Sequence, residues 1–172
     1  MKKITAQYIV AKGFTLIELL IVIALLGALA IGLLATIDPF EQLKKGRDTS
    51  VRNTVSEFYN ASLRYYSNKS AFPWAGTALT GSALSGLSAQ VSELVSAGEL
   101  KTQFWTLVGT TALAKMYVTS NGTDSVGVCF QPESKSFQKD INSKWDSAGG
   151  TSIVNCSSQT SGSGASCYYC VQ

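Results

Sequence analysis

The chain contains no histidine. That absence excludes Ser-His-Asp and Cys-His catalysis and most zinc hydrolase sites, which depend on an imidazole. It also has no Gly-x-x-x-x-Gly-Lys-Ser/Thr phosphate loop, and its glycine-rich stretches sit among serines and threonines. Charge is scarce, at 15% of residues, and the acids Glu93, Glu99, Asp124, Glu133, Asp140 and Asp146 show no clustered spacing. They are most simply solvated. The chain is therefore read as no enzyme, with no metal and no cofactor expected.

What the sequence does contain is one long apolar run. From Leu19 to Ala35, 17 residues pass without a polar side chain. Extended to Phe14 and Ile37, the run covers roughly 36 Å of helix, enough to cross a bilayer with some tilt. Glu18 stands at its head, and a carboxylate placed deep in a bilayer would cost about 2.5–3.5 kcal/mol. Lys2, Lys3 and Lys12 precede the run with no acid among them, as expected for a cytoplasmic flank.

Lys12-Gly13-Phe14-Thr15-Leu16-Ile17-Glu18 followed by an unbroken apolar stretch closely resembles the type IV pilin and pseudopilin signature, the class III signal peptide. The resemblance covers Lys12 to about Thr36. It implies that a membrane peptidase cuts between Gly13 and Phe14 on the cytoplasmic side and methylates the new Phe14 terminus. It also implies that Glu18 is the family's acidic residue, neutralising the amino terminus of an adjoining subunit in a low-dielectric helical bundle. The bland alternative places Glu18 at the interface among lipid headgroups. An ordinary secretory signal cut after Ala28-Leu29-Ala30 is the rival reading, and it leaves Glu18 and the Gly13-Phe14 junction without a purpose.

The charges divide the same way. The net charge is +3, from 14 basic and 11 acidic side chains, so removing the three leader lysines leaves a neutral chain. No strongly basic domain argues for nucleic acid, and self-association without large repulsion is expected. Lys44-Lys45-Gly46-Arg47 with Arg52 is read as a solvated helix face rather than a DNA or lipid contact.

The organisation expected is α+β: a long N-terminal helix, half in membrane or filament core and half amphipathic, packed on a small antiparallel sheet. The boundaries are a leader at 1–13, a hydrophobic helix at 14–37, an amphipathic helix at 38–70 and a head at 71–172. Asp38-Pro39-Phe40-Glu41 reads as a helix restart, with Asp38 as N-cap and Pro39 in the first position. Gly27 and Gly32 are read as local loosening of the membrane helix. Phe40, Leu43, Val51, Val55, Phe58 and Tyr65 form the stripe to be buried. Phe72-Pro73-Trp74 ends the helix, and a Gly/Ser/Thr-rich stretch runs to Ser88. Ala89–Ser96 suits a short helix stopped by Gly98. Lys115–Thr119 and Ser125–Phe130 suit a hairpin turning at Asn121-Gly122, with Ser136–Ile141 a weaker third strand. Ser157–Ser166 reads as a flexible loop.

Four cysteines, Cys129, Cys156, Cys167 and Cys170, lie in the last quarter of the chain. A head outside the cytoplasm would form two disulfides, with three possible pairings. In an extended C-terminal segment Cys167 and Cys170 point to opposite faces. That favours Cys129–Cys170 with Cys156–Cys167, while Cys167–Cys170 with Cys129–Cys156 stays open. A four-thiolate zinc site lacks its second knuckle, and a redox site lacks its strand-to-helix context. The minimal glycosylation patterns at Asn60, Asn68, Asn121 and Asn155 occur by chance in polar chains and carry no expectation.

The resemblance implies a structural subunit of a type IV pilus, supporting adhesion, motility or DNA uptake. It starts as a single-pass precursor in the cytoplasmic (inner) membrane and ends in an extracellular filament. Its implied partners are other copies of itself in a helical homopolymer, the prepilin peptidase/methyltransferase, inner-membrane assembly machinery, and the membrane before assembly. The alternative is a pseudopilin of a type II secretion or competence system. Major pseudopilins often bind calcium through an acidic C-terminal loop, and here that segment is Ser/Gly-rich with two cysteines. A non-polymerising membrane-anchored binding module is a third class, and it predicts a retained Met1.

Overall fold

A computed structural model describes residues 13–36, 38–146, 149 and 167–172. It is α+β and divides into two compact units between Pro39 and Phe40. The first unit contains helix α1, Leu16–Thr36. The second contains most of helix α2, Pro39–Lys69, and a head built around a four-stranded antiparallel sheet in the order β1-β2-β3-β4. Its strands are β1 Leu79–Ala83, β2 Met116–Ser120, β3 Val126–Phe130 and β4 Tyr169–Val171. Between β1 and β2 run a single 3-10 turn, Leu84–Gly86, and helices α3 Ser88–Ser96, α4 Phe104–Val108 and α5 Thr110–Leu113.

Pro39 opens α2, where its missing N–H has no intrahelical partner to lose. Val55, Phe58, Ala61 and Tyr65 repeat at helical spacing and are buried in one core with Met116 and Val118 of β2 and Val128 and Phe130 of β3. The first part of the expected stripe behaves differently. Phe40 is 74% and Leu43 62% exposed, and Val51 is only half-buried. The head meets those first turns of α2 through polar contacts, so the apolar core begins further along the helix.

The helix stops at Lys69, and Ser70 turns into the left-handed region at φ 55°. Phe72 then stacks on Trp74 at 5.2 Å and on Tyr66 at 4.7 Å, sealing that end of the core. Arg64 clamps the same end to the segment after α3, donating to the Glu99 carboxylate at 2.9 Å and to the Glu99 carbonyl at 2.8 Å.

In β2 burial alternates, the pattern of a strand with one face on the core. All five residues of β3 are buried. Val126, Val128 and Phe130 face the core, while the opposite side is covered by the C-terminal chain. A Cβ on Gly127 would lie 3.2 Å from Gln172 Cγ, and one on Gly149 would lie 3.2 Å from Cys129 Sγ. Cys129 and Cys170 sit directly opposite each other in β3 and β4, with Cα atoms 4.1 Å apart, and are joined by a disulfide. Cys167 is also disulfide-bonded. Cys156, its expected partner, lies outside the described residues, as does the loop expected at Ser157–Ser166.

Two local expectations are corrected. Ser136–Ile141 is not a strand: Lys135–Gln138 forms a one-turn helix, α6, capped by Ser134 Oγ accepting from the Phe137 N–H at 3.3 Å. A cap and one buried aromatic, Phe137, outweigh a weak strand pattern. The stretch read as Gly/Ser/Thr-rich loop contains β1, which pairs with β2 through a register irregularity between Leu79 and Ser82.

The hairpin β2–β3 turns over Asn121–Ser125 rather than over two residues, because Ser120 pairs with Val126. Asn121 Oδ1 accepts from the N–H groups of Thr123, Asp124 and Ser125. Gly122 has φ +86°, and a Cβ there would lie 3.0–3.2 Å from the backbone of Thr77 and Ala78. Both the conformation and the space demand glycine. Gly122→Ala is expected to destabilise the head by about 1–3 kcal/mol in chemical denaturation.

Asp48 is the buried acid of α2, 3% exposed. Its carboxylate accepts from the Glu133 N–H at 3.0 and 3.1 Å and from the Ser134 N–H at 2.7 Å. About two turns earlier, Glu41 accepts from the Lys135 N–H. These two carboxylates fix the chain between β3 and α6 on the helix. Asp48→Ala would strand two N–H donors and should cost about 2–3 kcal/mol, read from a denaturation midpoint. Asp48→Asn, which keeps one acceptor oxygen, should cost less.

Candidate functional site

The residues that the sequence marks for processing and assembly, Gly13, Phe14 and Glu18, lie at the start of α1. The helix begins at Leu16 because Thr15 and Glu18 cap it reciprocally. Glu18 Oε2 accepts from the Thr15 backbone N–H at 2.8 Å and from Thr15 Oγ1 at 2.7 Å, and Thr15 Oγ1 accepts from the Glu18 N–H at 3.3 Å. The Thr15 carbonyl takes the first intrahelical bond, from Leu19 N–H at 3.2 Å. This is a capping box, with Thr15 at the N-cap and Glu18 at the third helical position. The acid also lies at the positive end of the helix dipole.

Thr15 is the functional residue that reading the sequence missed. Its signal was present as a threonine three residues before a glutamate, immediately ahead of an apolar run. The box holds the Glu18 carboxylate against the residue that follows Phe14, so the acid faces the amino end of its own helix.

Beyond Glu18 the helix offers only hydrocarbon. Leu16–Leu34 has a mean hydropathy of 2.8 and is nowhere buried within the chain. Its 19 residues span about 28 Å, close to a bilayer's apolar thickness. Phe14 is 90% and Leu16 81% exposed. Such a surface is stable only in lipid or against other helices. Gly13 has no steric reason to be glycine: its φ is not positive, and a Cβ there would meet nothing within 4 Å. The same is true of the space around Gly27 and Gly32.

Residues 10–34 match the family described as the prokaryotic N-terminal methylation motif. The amino-terminal segment is a type IV pilin-like class III signal peptide. The motif supports a pilin- or pseudopilin-like precursor, and the family of this signal is structural rather than catalytic. A prepilin-type signal implies processing by prepilin peptidase and handling by pilus assembly machinery. With one N-terminal apolar helix, it is consistent with a membrane-anchored precursor that goes on to a surface filament. No curated protein and no solved structure matches the chain.

The remaining candidate residues, the cysteines, belong to the head. Among the described residues no group of histidine, cysteine, aspartate or glutamate could hold a metal ion.

The head's main electrostatic feature is Glu133. Lys115 Nζ bonds one carboxylate oxygen and Arg47 Nη1 lies 3.4 Å from the other. The Lys115 hydrogen bond, and then the charges of Lys115, Arg47 and Lys44, hold Glu133 below its ordinary range against a smaller effect of burial. A carboxylate depressed in the folded state contributes stability that is present above its ordinary value of 4.5 and lost as pH falls below it. Glu133→Gln should therefore flatten the acid-side fall of melting temperature between pH 5 and 3, a modest effect for a partly exposed pair.

Proposed function

We propose that the chain is a structural subunit of a type IV pilus, cleaved between Gly13 and Phe14, methylated on Phe14 and polymerised through its N-terminal helix. The observation that carries this reading is the prepilin-type signal joined to a membrane-length helix whose every side is apolar and uncovered. A glycine at position 13 with no structural reason to be glycine suits a protease subsite. In this reading residues 1–13 are a leader, 14–37 the filament-core helix, 38–70 the stem and 71–172 the head.

Glu18 is assigned the pairing role: its carboxylate neutralises the amino terminus of an adjoining copy and so sets the register of each incoming helix. The capping box supports this by holding the carboxylate at the amino end of α1, at the depth where a neighbour's Phe14 would arrive. Adhesion, motility or DNA uptake would be functions of the assembled filament.

The test is intact-mass and N-terminal peptide spectrometry on material sheared from the cell surface. A chain beginning at methylated Phe14 in sheared filaments is the expected result. A processed chain that never leaves the periplasmic face would make it a pseudopilin. A chain retaining Met1 and confined to membranes would overturn the filament reading.

A further inference from the structure

The hydrogen bond from the Lys135 N–H to Glu41 ties α6 to the first turn of α2. At that edge of the head the charges are sorted by exposure. The acids Glu41, Glu133 and Asp140 are half-buried and Asp48 is buried. Glu41 and Asp48 accept backbone N–H groups of residues 133–135, and Glu133 is paired with Lys115 and Arg47. The side chains that reach solvent are basic: Lys45 and Arg47 on α2, Lys135 in α6 and Lys139 just after it. One exposed acid, Asp38, stands ahead of the helix. Arg47 is shared with Glu133 at 3.4 Å, whereas among the described residues Lys45, Lys135 and Lys139 form no ion pair. The same turns of α2 expose two large apolar side chains, Phe40 and Leu43.

Chain connectivity says what meets this edge. Phe40 follows Leu34, the last residue of the membrane-length span, by six positions. That is about 9 Å at helical rise and at most about 20 Å fully extended. A headgroup layer about 5–7 Å deep begins where the span ends. With α1 across a bilayer, the first turns of α2 cannot be far from that layer, and α6 is held beside them. Apolar side chains at the boundary, with lysines reaching phosphates, suit an anionic membrane surface.

We propose that in the membrane-inserted precursor the head rests on the bilayer through its α6 edge. Phe40 and Leu43 enter the headgroup layer, and Lys45, Lys135 and Lys139 hold the phosphates of anionic phospholipids. From spacing alone, Lys44-Lys45-Gly46-Arg47 reads as a solvated face. The structure adds that the neighbouring acids are turned inward and that two further lysines lie on an element tied to the same turns. The inference rests on the membrane-anchored reading and not on polymerisation, so it applies to pilin and pseudopilin alike.

The test uses the full chain in vesicles of phosphatidylcholine and phosphatidylglycerol at 3:1, with p-benzoylphenylalanine replacing Leu43, Ser136 or, far along α2, Asn60. Irradiation followed by mass spectrometry of the peptides reads which lipid, if any, is attached. Lipid adducts are expected at positions 43 and 136 and not at 60. At 136, phosphatidylglycerol should be enriched roughly fivefold over its share of the bilayer, the weight of about one lysine at an anionic surface. Lys135→Gln/Lys139→Gln should return that ratio to the bulk value and leave the head's melting temperature unchanged. No lipid adduct at 136 in a chain that floats with the vesicles would overturn the proposal. So would phosphatidylglycerol in bulk proportion, adducts to a second copy instead of lipid, or equal labelling at 60. A chain that does not float with the vesicles would overturn the membrane-anchored reading as well.

Discussion

Glu18→Ala is expected to abolish surface filaments while leaving membrane insertion and cleavage after Gly13 largely intact. The variant loses two things at once. It loses the capping box with Thr15, about 1 kcal/mol of helix stability. It also loses the carboxylate proposed to neutralise a neighbouring amino terminus, and an ammonium left unpaired in a low-dielectric bundle costs several kcal/mol. The second effect is the larger, and Glu18→Gln separates it from the first. Glutamine keeps an oxygen that can accept from the Thr15 N–H but carries no charge. If charge pairing drives assembly, Glu18→Gln should fail nearly as completely as Glu18→Ala, whereas Thr15→Ala should only lower the yield. Filaments from Glu18→Gln at wild-type yield would reduce Glu18 to a helix cap. Shearing followed by immunoblotting, with cleavage followed by mobility shift, reads both parts of the prediction.

Removing the Cys129–Cys170 bridge should cost the head about 2–5 kcal/mol, the range for a small disulfide-bonded domain. The bridge closes a separation of 41 residues and pins β4, which has only three residues to hold it in the sheet. Without it, β4 keeps its ladder with β3 and the Tyr169 ring among Phe130 and Phe137, at centroid distances of 5.4 and 6.1 Å. Those contacts are too few to make a three-residue edge strand stable on its own. The double variant Cys129→Ala/Cys170→Ala should unfold at a clearly lower denaturant concentration and show rapid amide exchange in Val126–Phe130. Unchanged protection of β3 would mean that the C-terminal chain is held by packing alone.

The membrane helix was legible residue by residue, because burial in lipid requires only length and hydrocarbon, and both are properties of the sequence. The restart at Pro39 and the helix at Ser88–Ser96 stopped by Gly98 were equally local, set by proline's fixed φ and glycine's access to φ +77°. The capping box was written in Thr15 and Glu18, yet attention to the charge of Glu18 hid its local bond. The fate of Phe40 and Leu43 could not be read this way. Helical spacing says that two residues share a face, and whether anything covers that face depends on where the remote parts of the head fall.

What the sequence determined by itself was the class III signal, the two long N-terminal helices, the short helix ending at Ser96 and the β2–β3 hairpin, since each follows from periodicity, caps and turn residues within a few positions. Tertiary structure alone decided the rest. It turned Ser136–Ile141 from a strand into a capped turn of helix, found a strand in a serine-rich stretch, buried Asp48 under the N–H groups of residues 85 and 86 positions away, and selected the favoured Cys129–Cys170 pairing over the alternative the sequence left open. Each of these outcomes rests on a partner distant in sequence. A short polar segment has too little intrinsic preference to choose its conformation until that partner supplies the missing hydrogen bonds and apolar cover.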